Sequence, residues 1–290
     1  MIVCQVHAGL GNQLFQIFTT IAAGLNSGHG FGFYRDIQKG GTVRGTYWHS
    51  FLKQLQTYIV PHHTSYKRKY VDAEFHYKPF FRALRVFGDN IKLQGYFQSY
   101  KYFENYFDQI LELIGMHEIQ VQVRDKVSHS FPFLRSFENT ISIHFRLGDY
   151  LKLQKYHNIL SLNYYRVALH TILTSMDPHV QDLQVLYFYE KRDGELVERW
   201  IDELSVEFPM LEFINVLDGL ADWEEMLTMS CCKHNIIANS TFSWWGAYLN
   251  THSDKLVCYP SAWFGPKNAS KNTADLFPVD WIRIDCDKKI

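Results

Sequence analysis

Apolar and polar positions follow two periods along the second half of the chain, and the two take turns. Short, mostly apolar runs at 141–144, 185–189, 211–217, 234–238 and 256–259 have the length of strands buried on both faces. Between them lie stretches with helical spacing at 161–173, 194–204, 222–230 and 243–249. Ser161 or Asn163 is placed to cap the first, and Val197, Trp200, Ile201 and Leu204 share one face of the second. Strands alternating with helices predict a parallel sheet covered on both sides, a Rossmann-like unit.

The first half opens the same way, with a strand at 2–6, a helix at 12–25 and a strand at 31–34. The pattern then loosens, and the Lys/Arg/Tyr-rich stretch 66–70 reads as exposed loop. A strand at 91–95 and a helix at 103–114 follow. A boundary within 125–139 divides the chain into two α/β units, residues 1–138 and 139–290, with neither a repeat nor a low-complexity linker. The expected fold class is therefore α/β, two Rossmann-like units facing across a cleft, where ligands of such folds bind.

Composition narrows the function classes. The chain of 290 residues carries 29 Lys+Arg against 30 Asp+Glu, so no global field favours nucleic acid or an anionic membrane. With 47% hydrophobic and 20% charged residues it has the composition of a folded chain. The cysteines Cys4, Cys231, Cys232, Cys258 and Cys286 form no CxxC pair, which favours a reducing, cytoplasmic setting over a disulfide framework or structural zinc. The apolar stretch 14–25 is broken by Gln16, Thr19 and Thr20 and has no basic residue before it, so neither a membrane span nor a signal segment is expected there.

Three constellations sit where a predicted strand hands over to a helix or turn. In His7-Ala8-Gly9-Leu10-Gly11-Asn12-Gln13, two glycines permit close backbone approach and a helix N-terminus faces outward, suited to an anion. It is a poor dinucleotide fingerprint, because Leu14 stands where a third glycine belongs, and Asp36 lies farther on than the usual acidic residue. The same loop also reads as a simple tight turn. In His144-Phe145-Arg146-Leu147-Gly148-Asp149-Tyr150, an arginine at a strand's C-terminal end can grip a diphosphate bidentately, or pair with Asp149 across the turn. In Ala238-Asn239-Ser240-Thr241-Phe242-Ser243-Trp244-Trp245-Gly246, hydroxyls and an amide at a helix start suit phosphate or sugar oxygens, while Ser243 also reads as a plain cap.

Taken together, GLGNQLFQ (9–16), GYFQSYKYF (95–103), HFRLGDY (144–150), SLNYY (161–165), CKHNIIANSTFSWWGAYL (232–249) and YPSAWF (259–264) resemble the α-1,2-fucosyltransferases, glycosyltransferase family eleven. The resemblance runs in order over nearly the whole chain. It implies a GT-B fold, GDP-β-L-fucose as donor, a glycan acceptor, inversion at the anomeric carbon and no metal or other cofactor. The family's HxRxGD donor motif falls on His144, Arg146, Gly148 and Asp149. Three departures stand out: His7-Ala8 in place of Gly-Gly, Leu147 in place of a second arginine, and Glu190-Lys191-Arg192-Asp193 in place of Ser-Asp-Asp. Glu190 or Asp193 remains available to the guanine or ribose.

Under that resemblance, donor contacts are expected from His144, Arg146, Gly9, Gly11, Asn12, Gln13, Asn239, Ser240, Thr241 and Ser243. Cleaving the fucosyl–phosphate bond leaves charge on the diphosphate, which fixed donors or a metal must stabilise. Arg146 is the expected charge stabiliser, since the one Asp-x-Asp triplet, Asp285-Cys286-Asp287, lies in a charged tail and reads as solvated terminus. Asp149 is the first candidate for the base that deprotonates the acceptor, with His7, Asp36 and Glu104 in reserve. His7, Tyr96 and Tyr100 are placed on the acceptor side, and Trp48, Phe97 and Trp263 are further candidate sugar platforms. Rival readings are the same fold with another GDP-sugar, an NAD-dependent oxidoreductase, and a non-catalytic carbohydrate-binding protein. The oxidoreductase wants a cleaner glycine fingerprint, and the binding module gives no role to the anion-suited loops.

Overall fold

Short strands pair in parallel in both halves of the chain. The computed structural model describes residues 1–35, 45–61, 64–85, 90–177, 180, 182–216 and 219–286, without the side chain of Asp149. Two compact units emerge, Met1–Ile119 with Lys271–Pro278, and Gln120–Ser270 with Val279–Ile290.

The first unit runs β1 (Ile2–Cys4), α1 (Leu10–Ser27), β2 (Phe31–Tyr34), β3 (Ile59–Val60), β4 (Arg68–Val71), α2 (Phe81–Leu84), β5 (Ile91–Gln94) and α3 (Phe107–Ile114). Its sheet has the order β3-β2-β1-β5-β4, with parallel pairs throughout. The chain leaves β1 toward β2 and β3 and then crosses to the other side, which makes β1/β5 the switch point where ligands of such sheets bind. Helix α1 is buried from Leu10 through most of its length, which explains why its sequence is apolar on nearly every face. It stops at Gly28, whose φ of +70° is the left-handed cap a glycine adopts without strain.

The second unit contains most of α4 (Met116–Ser130), then β6 (Thr140–His144), α5 (Leu162–Ser175), β7 (Gln184–Phe188), α6 (Gly194–Glu207), β8 (Glu212–Asn215), α7 (Asp222–Cys231), β9 (His234–Ile236), α8 (Thr241–Tyr248), β10 (Val257–Pro260) and β11 (Ile282–Ile284). The order β11-β10-β9-β6-β7-β8 is again all parallel, and its switch point lies between β6 and β9. Ile141, Ile143, Tyr164, Tyr165, Leu169, Val185 and Val197 belong to one buried core. Two buried tyrosines of α5 satisfy their hydroxyls on the strand ends: Tyr164 Oη donates to Ile237 O at 2.6 Å and Tyr165 Oη to His144 O at 3.3 Å. They fix the two strand exits beside the switch point. Trp244 and Trp245 of α8 are fully buried.

Two expectations need correction. The stretch 66–70 is not all loop, because β4 pairs along β5 from Arg68 opposite Ile91 to Val71 opposite Gln94. As a largely exposed edge strand it carries Arg68 and Lys69, a common way to keep an edge from pairing further. The boundary also falls between Ile119 and Gln120, inside α4, rather than at 138/139. Residues 271–278 rejoin the first unit because Asp275 is drawn there. Its carboxylate accepts Tyr77 N at 3.2 Å and pairs with Lys101, and its carbonyl accepts Ser99 Oγ at 2.6 Å. Among the described residues, no helix is long and apolar enough to cross a membrane.

Candidate functional site

In the second unit, the loops leaving β6, β7 and β9 bring the chemistry together. His144 at the end of β6 stands opposite Phe188 at the end of β7, and Phe145 N continues the ladder to Phe188 O at 2.8 Å. Arg146 and Glu190 are therefore each two residues past a paired position, and their side chains form an ion pair. The other oxygen of the Glu190 carboxylate pairs with Arg192, so one carboxylate is held between two guanidiniums. Asp193 N donates to Glu190 O at 2.7 Å, closing the turn, and the buried Asp193 carboxylate accepts Gly148 N at 2.7 Å. That bond ties the β7 loop to the β6 loop.

A glycine suits the backbone at Gly148, and its missing side chain makes room for the cluster. Its φ is +31°, and a Cβ there would come within 2.7 Å of Arg192 Nη2 and 2.8 Å of Glu190 Oε2. The ion-paired cluster thus packs directly on the backbone of the β6 loop.

Tyr150 backs Arg146, with Cζ 5.0 Å from the ring centroid, and its hydroxyl donates to Asn239 O at 3.2 Å. The same ring stacks on His157 at 4.1 Å. Asn239 itself is buried, its amide nitrogen donating to Asn158 O at 2.8 Å and Trp263 O at 3.1 Å. Its Oδ1 has no hydrogen-bond partner among the described residues. Ser240, not Ser243, is the N-cap of α8: Ser240 Oγ accepts Phe242 N at 3.3 Å, while Ser243 Oγ turns back to Ser240 O at 3.3 Å. Thr241 opens the helix. His144 is buried, its ring 5.4 Å from that of Phe242, and its Nδ1 lacks a partner among the described residues. Burial, reinforced by the Arg146 charge, holds its pKa down to about 3, so it stands as a neutral imidazole.

The first unit has its own site at the β1/β5 switch point. The loop after β1 is braced from inside α1: Gln16 accepts His7 N at 3.2 Å and donates to His7 O at 3.0 Å, and Gln13 donates to Ala8 O at 2.8 Å and Gly45 O at 3.0 Å. Gly9 is the N-cap residue of α1, with open space where a Cβ would be, and Gly11 lies buried in the first turn. Asn12 accepts Gln98 Nε2 at 2.6 Å. His7 and Tyr96, both exposed, approach with ring centroids 5.3 Å apart.

The structure therefore gathers the predicted residues into two sets. His144, Arg146, Gly148, Asn239, Ser240, Thr241 and Ser243 lie at one switch point. His7, Gly9, Gly11, Asn12, Gln13 and Tyr96 lie at the other. Tyr100 is buried in the 3-10 turn Tyr100–Tyr102, and Trp48, Phe97 and Trp263 are buried as well, so none of these offers an open ring face. Glu104 is exposed at the start of the turn Glu104–Tyr106. The Asp149 side chain, Asp36 and Asp287 lie outside the described residues. Among the described residues, no three His, Cys, Asp or Glu side chains converge as a metal-binding group.

Sequence reasoning missed three parts of this arrangement: the Glu190 bridge, the Asp193 tie to Gly148, and Tyr150 behind Arg146. A fourth lies in the first unit, where Asp72 accepts Phe97 N at 2.8 Å and burial raises its pKa. The readable signal for it was Gly95, whose φ is +144° and where a Cβ would lie 2.5 Å from Asp72 Cβ.

The family described as Glycosyl transferase family 11 matches residues 47–285. Among curated proteins, the O-antigen biosynthesis glycosyltransferase WbnK of Escherichia coli is 32% identical over 209 residues, covering 68% of this chain and 65% of that protein. An Escherichia coli alpha-1,2-colitosyltransferase is 24% identical over 199 residues, covering 68% of this chain and 63% of its own. The chain thus spans just under two thirds of the length of the curated relatives it matches. Among solved structures, a mutant of Arabidopsis thaliana FUT1 in complex with GDP superposes with a TM-score of 0.51 at 11% identity, covering 96% of this chain and 74% of that one. A glycosyl transferase family 9 structure from Veillonella parvula gives 0.51 at 10% identity, covering 100% and 88%. At these identities the likeness is one of fold.

Proposed function

The chain belongs to glycosyl transferase family 11, and on that premise we propose that it transfers L-fucose from GDP-β-L-fucose to a hydroxyl of a glycan acceptor, with inversion and without a metal. The observation that carries this reading is Arg146, held at the exit of β6 beside the switch point, with the capped N-terminus of α8 leaving the neighbouring strand β9. A guanidinium and a helix N-terminus are what a departing diphosphate needs, since both stabilise negative charge as it develops. The GDP complex of a protein with the same fold, Arabidopsis FUT1, supports a guanine nucleotide as the donor's leaving group.

The remaining residues take supporting parts. Asn239 orients the strand exit through Asn158 and Trp263, and Tyr150 holds Arg146 from behind. The neutral His144 adds no like charge beside Arg146. Asp149 is assigned the acceptor's proton, and His7 with Tyr96 the acceptor's sugar ring, edge read by polar groups and face by the aromatic.

Replacing Arg146 with alanine tests the assignment. Loss of one preorganised donor lowers turnover by about 10²–10³. Transfer from GDP-fucose within tenfold of wild type, in a variant of unchanged far-UV circular dichroism, refutes it. A second reading, the same reaction with a different GDP-sugar, is favoured by the relative named as a colitosyltransferase. A panel of GDP-sugars at equal concentration separates the two by kcat/KM.

A further inference from the structure

The Glu190 carboxylate sits as a ligand anion would. Its two oxygens are taken by two different guanidiniums, Arg146 from the β6 loop and Arg192 from the β7 loop. The cluster rests on Gly148, whose missing Cβ leaves room for Arg192 Nη2 and Glu190 Oε2 against the backbone. Asp193, the residue after Arg192, fixes the β7 loop in place through Gly148 N. Two arginines converging on a single carboxylate form a fork for any group with paired oxyanions, and a diphosphate offers more negative charge than a carboxylate.

We infer that Arg192 is a second diphosphate-binding residue beside Arg146, and that Glu190 is the internal anion a ligand phosphate replaces between them. The inference rests on the reading that this site takes a sugar nucleotide, and it deepens that reading by naming what discriminates a diphosphate from a monophosphate. Leu147 is buried in the core, so the residue next to Arg146 in sequence supplies no such contact. The second cation comes instead from the loop that carries Glu190, which lies 44 residues beyond Arg146. Glu190 has a positive use before the ligand arrives, since it keeps two like charges together that otherwise repel. Its cost is competition: every phosphate that binds must displace a carboxylate already satisfied.

The test is calorimetric titration of wild type, Arg192→Gln, Arg192→Lys and Glu190→Gln with GDP, GMP and inorganic pyrophosphate at one ionic strength. The Arg192 side chain is 56% exposed, so its removal leaves the fold intact, which the thermal midpoint checks. Arg192→Gln is expected to weaken GDP and pyrophosphate by about 10- to 100-fold, the loss of a charged hydrogen bond, and GMP by less. Arg192→Lys recovers part of that loss, and Glu190→Gln binds pyrophosphate more tightly than wild type. Wild-type affinity for GDP and pyrophosphate in Arg192→Gln, or no tightening in Glu190→Gln, overturns the inference and leaves the donor assignment standing. Arg192-dependent binding of pyrophosphate with no binding of GDP sustains the inference and overturns the donor assignment. Binding of neither ligand by wild type overturns both.

Discussion

Gly148→Ala isolates the link between backbone geometry and ligand binding. Alanine at a φ of +31° carries a backbone penalty of about 1–2 kcal/mol. The new methyl also meets Arg192 Nη2 at 2.7 Å and Glu190 Oε2 at 2.8 Å, closer than real contacts allow. Both atoms are the ends of long side chains, so they swing away, and the clash adds little to the loss of stability. The site suffers more than the fold, because Arg192, whose guanidinium lies nearest the new methyl, is one of the two cations of the fork. A thermal midpoint lowered by roughly 2–8 °C is expected, scaling the penalty by about 2–4 °C per kcal/mol. Affinity for GDP should drop about 10-fold or more, the loss of one charge-assisted contact. Differential scanning calorimetry and GDP titration on the same preparation read both quantities. A variant with lowered midpoint but wild-type GDP affinity and turnover shows that the Glu190 cluster is not part of the binding apparatus.

Three further outcomes follow from contacts described above. Asp193→Ala leaves Gly148 N buried without its acceptor, and should cost about 1–3 kcal/mol in denaturant unfolding together with a fall in turnover. Asp275→Ala removes the carboxylate shared by Tyr77 N and Lys101, and should destabilise the first unit by a similar ~1–3 kcal/mol while amide exchange in the second unit stays unchanged. The buried imidazoles make stability depend on pH. Burial holds His144 down to about 3 and His234 to about 4, below the ordinary 6.5, so on acidification the unfolded chain binds protons first. Stability is therefore full above about 6.5 and lost as pH falls toward 4, with a slope approaching ~1.4 kcal/mol per pH unit for each histidine. His144→Gln should flatten the midpoint-against-pH curve across that window, and a slope equal to wild type contradicts the assignment.

The alternation of apolar runs and helical spacing was enough to read the second sheet, because strands buried on both faces have no polar side to blur the pattern. The loops after β6 and β9 were legible for the same reason, since each follows a strand whose end can be seen. What could not be read were features set by neighbours distant in sequence. Strand β4 looks like loop because an edge strand displays Arg68 and Lys69. Glu190, 44 residues beyond Arg146, pairs with it through the register of β6 against β7, a partner that no local spacing shows. Asn239 reads as a ligand contact by residue type, while its amide nitrogen is spent on two backbone carbonyls. Trp48 and Trp263 read as sugar platforms and lie buried, since large rings fill cores more often than they line sites.

The return of residues 271–278 to the first unit bears on how the protein is made. Lys101 and Asp275 are 174 residues apart, and the whole second sheet apart from β11 is encoded between them. During synthesis the first 119 residues emerge early, with β1 to β5 available to pair, but the segment that satisfies Ser99, Tyr77 N and Lys101 leaves the ribosome only after β6 to β10 of the second unit. The N-terminal unit therefore waits, incomplete, while the C-terminal one is being translated, an inversion of the usual order in which the first domain finishes first. Ribosome-bound chains halted before Lys271 should accordingly hold a first unit more open to protease than the same unit in the released protein.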